Sequence, residues 1–162
     1  MALENLKTIL YTSDLLSHDA RVAFRSAATH AIAHNAKLIF LNVIEPISST
    51  MELAVSNYIS EAELEELRTE GLLKVQLDIA ERIRGFCDEE LPDGVELPYT
   101  TEVCVEKGKP AEVILKVADE KQVDMIVMGT RTHSKFSQMV TGSTAHQVLF
   151  HADRPVLIVP LA

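Results

Sequence analysis

Two stretches of this chain carry residue types suited to gripping an anion. Met125-Ile126-Val127-Met128 is an apolar run that ends at Gly129, and Gly142-Ser143-Thr144 stands where a helical pattern begins. Strand, loop, Gly-Ser-Thr and helix are parts suited to holding a phosphate. The first amides of a helix lack intrahelical acceptors and point, with the positive end of the dipole, at whatever precedes it. Glycine lets an anion approach the backbone, while Ser143 and Thr144 add hydroxyl donors. The loop between offers Arg131 and Lys135 as cationic partners. A plainer reading stands beside this one: a glycine that stops a strand, a Gly-Ser-Thr that starts a helix, and a solvated loop holding Arg131, His133 and Lys135.

Asp14 follows the first apolar run and offers a carboxylate to ribose hydroxyls or to a base, or else a cap to the next helix. Val43 closes the second apolar run, as the wall of a base slot or as an ordinary core residue. His30 and His34 have the i, i+4 spacing that can hold zinc, but no third ligand is evident, and they read as packing or surface histidines. Cys87 and Cys104 have no metal or redox spacing and read as reduced structural thiols. There is no Walker lysine motif and no general base beside the expected phosphates, so no catalytic residue and no metal ligand is assigned.

These residues need elements to position them, and 162 residues suffice for one domain with a proper core. The composition, 47% hydrophobic and 24% charged, is that of a soluble globule. A net charge of -9 disfavours a general nucleic-acid or anionic-membrane surface. No run is long enough for a membrane span, and Glu4 and Lys7 interrupt the opening segment against a signal-peptide reading. A cytoplasmic protein is expected.

Short apolar runs at Leu6 to Tyr11, Lys37 to Val43, Tyr99 to Val105, Met125 to Met128 and Val156 to Val159 read as five strands. Helical patterns separate them. The first, capped by Ser17 or Asp19, runs to His34 with Val22, Ala23, Ala27, His30, Ala31 and His34 spaced for packing on a sheet. A looser connection with a short helical piece near Met51 to Tyr58 leads to Ser60-Glu61-Ala62-Glu63, a capping-box pattern. That box opens a long helix to about Glu90, striped by Leu64, Leu67, Leu72, Val75, Ile79, Ile83 and Phe86. Two further helices cover Ala111 to Lys121 and Gly142 to His151. Strands alternating with helices specify an α/β fold with a doubly wound parallel sheet and helices on both faces.

The frame Gly129, Thr132, nine residues from His133 to Thr141, then Gly142-Ser143 resembles the nucleotide-binding motif of the universal stress proteins. In that family a second glycine stands where this chain has Thr132, the one departure in the frame. TILYTSDLL, LIFLNVIEP, VEKGKPAEVILKVADEKQVDMIVMGT and HADRPVLIVP are similar to the family's other segments, so the resemblance covers nearly the whole chain. It implies a five-stranded sheet in the order 3-2-1-4-5, of the adenine nucleotide alpha hydrolase-like kind. It also implies a site at Thr12, Asp14, Val43, Met128, Gly129, Arg131, Thr132, Gly142, Ser143 and Thr144, binding ATP, ADP or AMP with Mg2+ carried on the phosphates. A homodimer through Val156 to Val159, an unidentified protein partner, and at most slow ATP hydrolysis or phosphorylation of Ser143 or Thr144 complete the expectation. The alternative is a dimeric interaction module of the same fold without nucleotide. A phosphoacceptor receiver domain ranks lower because Asp14 has no acidic neighbour, and a dinucleotide enzyme lower still because no glycine fingerprint follows the first strand.

Overall fold

The computed structural model describes residues 5–13, 20–46, 48–131 and 143–161. Strands β1 (Thr8–Thr12), β2 (Lys37–Ile44), β3 (Glu102–Lys107), β4 (Met125–Arg131) and β5 (Val156–Leu161) form one parallel sheet in the order β3-β2-β1-β4-β5, as expected. Helices α1 (Ala20–His34), α2 (Ser49–Ser56), α3 (Glu61–Glu90), α4 (Pro110–Glu120) and α5 (Ser143–His151) alternate with them.

The period-2 alternation of the strands sorts their side chains into two cores. Ile9, Tyr11, Leu38, Phe40, Met125 and Val127 face the alanine-rich side of α1 and the end of α3. Leu10, Ile39, Leu41, Ile126 and Met128 face Ile114 and Val117 of α4 and Val148 of α5. Small residues on α1 (Ala23, Ala27, Ala31) let that helix lie close on the sheet, whereas Val22, expected inward, is exposed. Tyr11 and Phe40 meet edge to face at 4.7 Å in the middle of this layer. Glu90, at the end of α3, is buried beneath Arg21 and Arg25 of α1 at 3.0 and 3.5 Å.

Local signals set most of the joints. Asn35 takes a left-handed φ of 53° and ends α1. Ser60 and Glu63 form the reciprocal capping box that starts α3, and this pulls the Glu63 carboxyl below its usual range, chiefly through the Ser60 amide. At Gly108 the φ is 153°, and a Cβ would sit 2.7 Å from Val113 Cγ2, so glycine is required where β3 turns into α4. Asp124 Oδ2 accepts from the amides of Lys7 and Thr8, both at 2.8 Å, and fixes the start of β1. Arg154 donates to the Ala118 and Val123 carbonyls at 2.6 and 3.0 Å and pairs with Asp119, clamping the end of α4. Glu102 lies between Lys37 and Lys121, and their hydrogen bonds hold its carboxyl down at about 2.

One expectation changes here. Leu67 and Val75, placed on the inward stripe of α3, are exposed; burial begins near Ile79 and runs through Ile83 and Cys87. A helix of 30 residues is about 45 Å long, while the eight residues of β2 span about 26 Å. The helix outruns the sheet. At the edges, Gln76 of α3 donates to the Val105 carbonyl of β3 at 2.9 Å, and β5 carries Pro160. Because the Ile126 amide donates to the Pro155 carbonyl, odd-numbered residues of β5 turn their backbones toward β4. The imino nitrogen of Pro160 therefore faces the open side.

Candidate functional site

The sheet order reverses between β1 and β4, the place where open α/β sheets leave a crevice at the carboxyl ends of their strands. An open cavity of about 330 Å³ lies there. β1 contributes Thr12 and Ser13, β2 contributes Val43, β4 contributes Met128, Gly129 and Thr130, and α5 contributes Thr144 and Ala145. The structure thus brings five of the expected residues, Thr12, Val43, Met128, Gly129 and Thr144, to one cavity. Asp14, Thr132 and Gly142 lie outside the described residues, as do the proposed caps Ser17 and Asp19 and the loop cation Lys135. The backbones of Arg131 and Ser143 end β4 and begin α5.

Gly129 corrects one expectation. It does not end the apolar strand: β4 continues to Arg131, and Gly129 pairs with Val159. Its smallness has a packing reason. A Cβ on Gly129 would stand 2.6 Å from Leu161 Cδ1 and 3.0 Å from its Cγ. The glycine leaves room for the last leucine of β5 to fold over β4 on the α1 side, and Leu161 closes that side of the cavity.

Several residues that sequence reasoning passed over shape the site. Asn42, buried within the apolar strand Leu38 to Val43, donates from Nδ2 to the Ser13 carbonyl at 2.8 Å. Together with the Ser13 amide on the Leu41 carbonyl at 3.3 Å, it fixes the backbone where β1 leaves the sheet. A lone asparagine in an apolar run was the available signal, since a buried amide needs partners. Tyr11 donates its hydroxyl to the Ala20 carbonyl at 3.0 Å, holding the start of α1 beside the cavity. Thr130 Oγ1 is buried and has no hydrogen-bond partner among the described residues. Glu45 is the one carboxylate among the described lining residues.

Chemically, the cavity has apolar walls from Val43, Ile114 and Met128, hydroxyls from Thr12, Thr130 and Thr144, and the amide-rich start of α5. Apolar walls with a few placed polar groups suit a planar heterocycle carrying a polar tail. Among the described residues no group of three or more His, Cys, Asp or Glu side chains is placed to hold a metal ion.

Comparison with known proteins places this geometry in context. The family model described as the universal stress protein family matches residues 5–160. A universal stress protein of Thermus aquaticus is 33% identical over 153 residues, covering 94% of this chain and 98% of the relative. Among solved structures, a universal stress protein in complex with cAMP superposes with a TM-score of 0.62 at 18% identity, covering 98% of this chain and 100% of its own. The universal stress protein of Archaeoglobus fulgidus in complex with dAMP gives 0.55 at 19%, covering 95% and 98%.

Proposed function

The chain belongs to the universal stress protein family, and from that premise we propose that it binds an adenine nucleotide in the crevice between β1 and β4. The observation that carries the proposal is the cavity itself: its volume of about 330 Å³ falls in the range of small-molecule sites. Its polarity is divided as a nucleotide requires. Val43 and Met128 offer the base an apolar slot, Asp14, next after Ser13 in the sequence, carries a carboxylate suited to ribose hydroxyls, and the start of α5 offers amides to phosphate. The buried Thr130 hydroxyl gains a partner when a polar ligand enters. Solved relatives complexed with cAMP and dAMP support the adenine class, and ATP, ADP and AMP share that chemistry. Mg2+ would travel on the phosphates rather than in a protein cage.

In this reading occupancy reports nucleotide supply and changes the surface offered to a protein partner, a regulatory role in the stress response. The protein acts as a single domain in the cytoplasm, where the free cysteines Cys87 and Cys104 suit a reducing medium. It pairs with a second copy through Val156 to Val159 of the open-edged β5, flanked by the exposed Leu149 and Phe150 of α5.

Calorimetric titration of nucleotide-free protein with Mg-ATP, Mg-ADP and AMP tests the proposal, alongside Val43→Asp and Gly142→Val. Saturable binding, weakened in both variants, is the expected result. Absence of heat at roughly millimolar nucleotide, weaker than about 4 kcal/mol of binding free energy, overturns it. The same fold would then serve as an interaction module alone.

A further inference from the structure

α3 carries a second apolar stripe, opposite the one that packs on the core. At about 100° per residue, Glu63, Glu66, Leu67, Glu70, Leu73 and Leu77 fall within about 120° of the helix circumference. Ile79, Ile83, Phe86 and Cys87, which touch or enter the core, lie on the other side. Leu67, Leu73 and Leu77 are 60, 58 and 62% exposed. Three leucines held out in water on an ordered helix are a cost that folding alone does not recover.

The surroundings of the stripe state what would cover it. Glu63, Glu66 and Glu70 join Leu67 and the half-buried Ile59 around a shallow hollow of about 330 Å³. The only cation on this face of α3 within the same span is Lys74, while Arg68, on the far side of the helix, is engaged by Glu52 and Glu65 at 3.1 and 3.2 Å. That ion pair ties α2 to the opposite side of α3 and leaves the acidic face uncovered. A second copy of this chain would bring the same carboxylates and a net charge of -9 to the contact, and like charges oppose it.

We propose that the outer face of α3 from Glu63 to Leu77 docks a basic amphipathic helix of a partner protein. Leucine-type anchors of the partner would seat between Leu67, Leu73 and Leu77, with its lysines or arginines on Glu63, Glu66 and Glu70. The face lies on the side of α3 away from the core and does not depend on the nucleotide reading.

The test is fluorescence anisotropy of the full chain with a labelled helical peptide built of leucine and lysine at amphipathic spacing. The same peptide with glutamate for lysine serves as the control. Saturable binding of the basic peptide alone is expected. It should weaken about tenfold or more in Leu73→Ser/Leu77→Ser, which removes apolar anchors, and similarly in Glu66→Lys/Glu70→Lys. It should also fall as salt is raised from about 50 to about 500 mM. All four positions are exposed, and circular dichroism melts of the variants confirm the fold independently. Equal binding by the variants, or equal binding of the acidic peptide, overturns the proposal. So does self-association in sedimentation equilibrium that Leu73→Ser/Leu77→Ser abolishes, because a second copy would then own the face.

Discussion

Replacing Gly129 with alanine adds one methyl group at a strand position whose backbone any residue can adopt, so its effect reads the space alone. That methyl would lie 2.6, 3.0 and 3.1 Å from Leu161 Cδ1, Cγ and Cδ2. The branch point Cγ is among the close atoms, so rotating the leucine's end does not relieve the contact. Leu161 is buried, and its strand pairs with β4 through Arg131 opposite it, so the strand end must shift. Overpacking of this kind costs about 1–3 kcal/mol. For a domain of this size that lowers Tm by about 2–4 °C per kcal/mol. Leu161→Ala removes the obstruction at a separate cost of about 2–3 kcal/mol for the lost burial. The double variant Gly129→Ala/Leu161→Ala should therefore be more stable than the sum of the single changes predicts, by about 1–2 kcal/mol. Urea unfolding of the four proteins measures the cycle. Strict additivity, or an unchanged midpoint for Gly129→Ala, would refute the packing account and leave ligand approach as the reason for glycine at this position.

Further outcomes follow from the joints of the fold. Glu102 has a folded carboxyl held at about 2 against an ordinary 4.5, so its contribution is complete above pH 4.5 and is lost as the pH falls toward 2. Glu102→Gln should flatten that acid limb in pH-dependent urea melts and cost about 1 kcal/mol at neutral pH, a discounted figure because both lysines are partly in water. Asp124→Ala frees two amides at the start of β1 and should lower stability by about 1–3 kcal/mol, with faster hydrogen exchange at Lys7 and Thr8; an unchanged exchange rate there contradicts the anchor. Burial pushes the Cys87 thiol up to about 12, so a thiol reagent at pH 8 should label Cys104 first and Cys87 only on unfolding. Comparable labelling rates would count against the packing of α3.

The strands were legible because their alternation is complete: Leu38 and Phe40 face one helix layer, Ile39 and Leu41 the other, and either set alone would have argued for a one-sided sheet. The parallel order followed from the crossovers. What sequence could not supply was where the sheet stops. Leu67 and Val75 stand at sound helical spacing, yet both are exposed, and periodicity carries no information about the length of the neighbouring element. The Gly129 and Thr144 ends of the loop motif were readable from type and spacing and Val43 from the family resemblance, and all three line one cavity. Asn42 and Thr130 were not, because a single polar residue in an apolar run marks a constraint without naming its partner. Asp14 and Gly142 fall outside the described residues.

Pro160 has a bearing on what this sheet does in a crowded solution. The outward amides of β5 are those of Val156 and Ile158, and at Pro160 the open side offers a carbonyl with no donor. An incoming strand can therefore be gripped only over the first few residues and meets a ring where the next rung should form. At the opposite edge Gln76 already occupies the Val105 carbonyl of β3. An edge that offers only a short pairing, opposite one whose middle carbonyl is already taken, works against sheets adding rung by rung into a fibre.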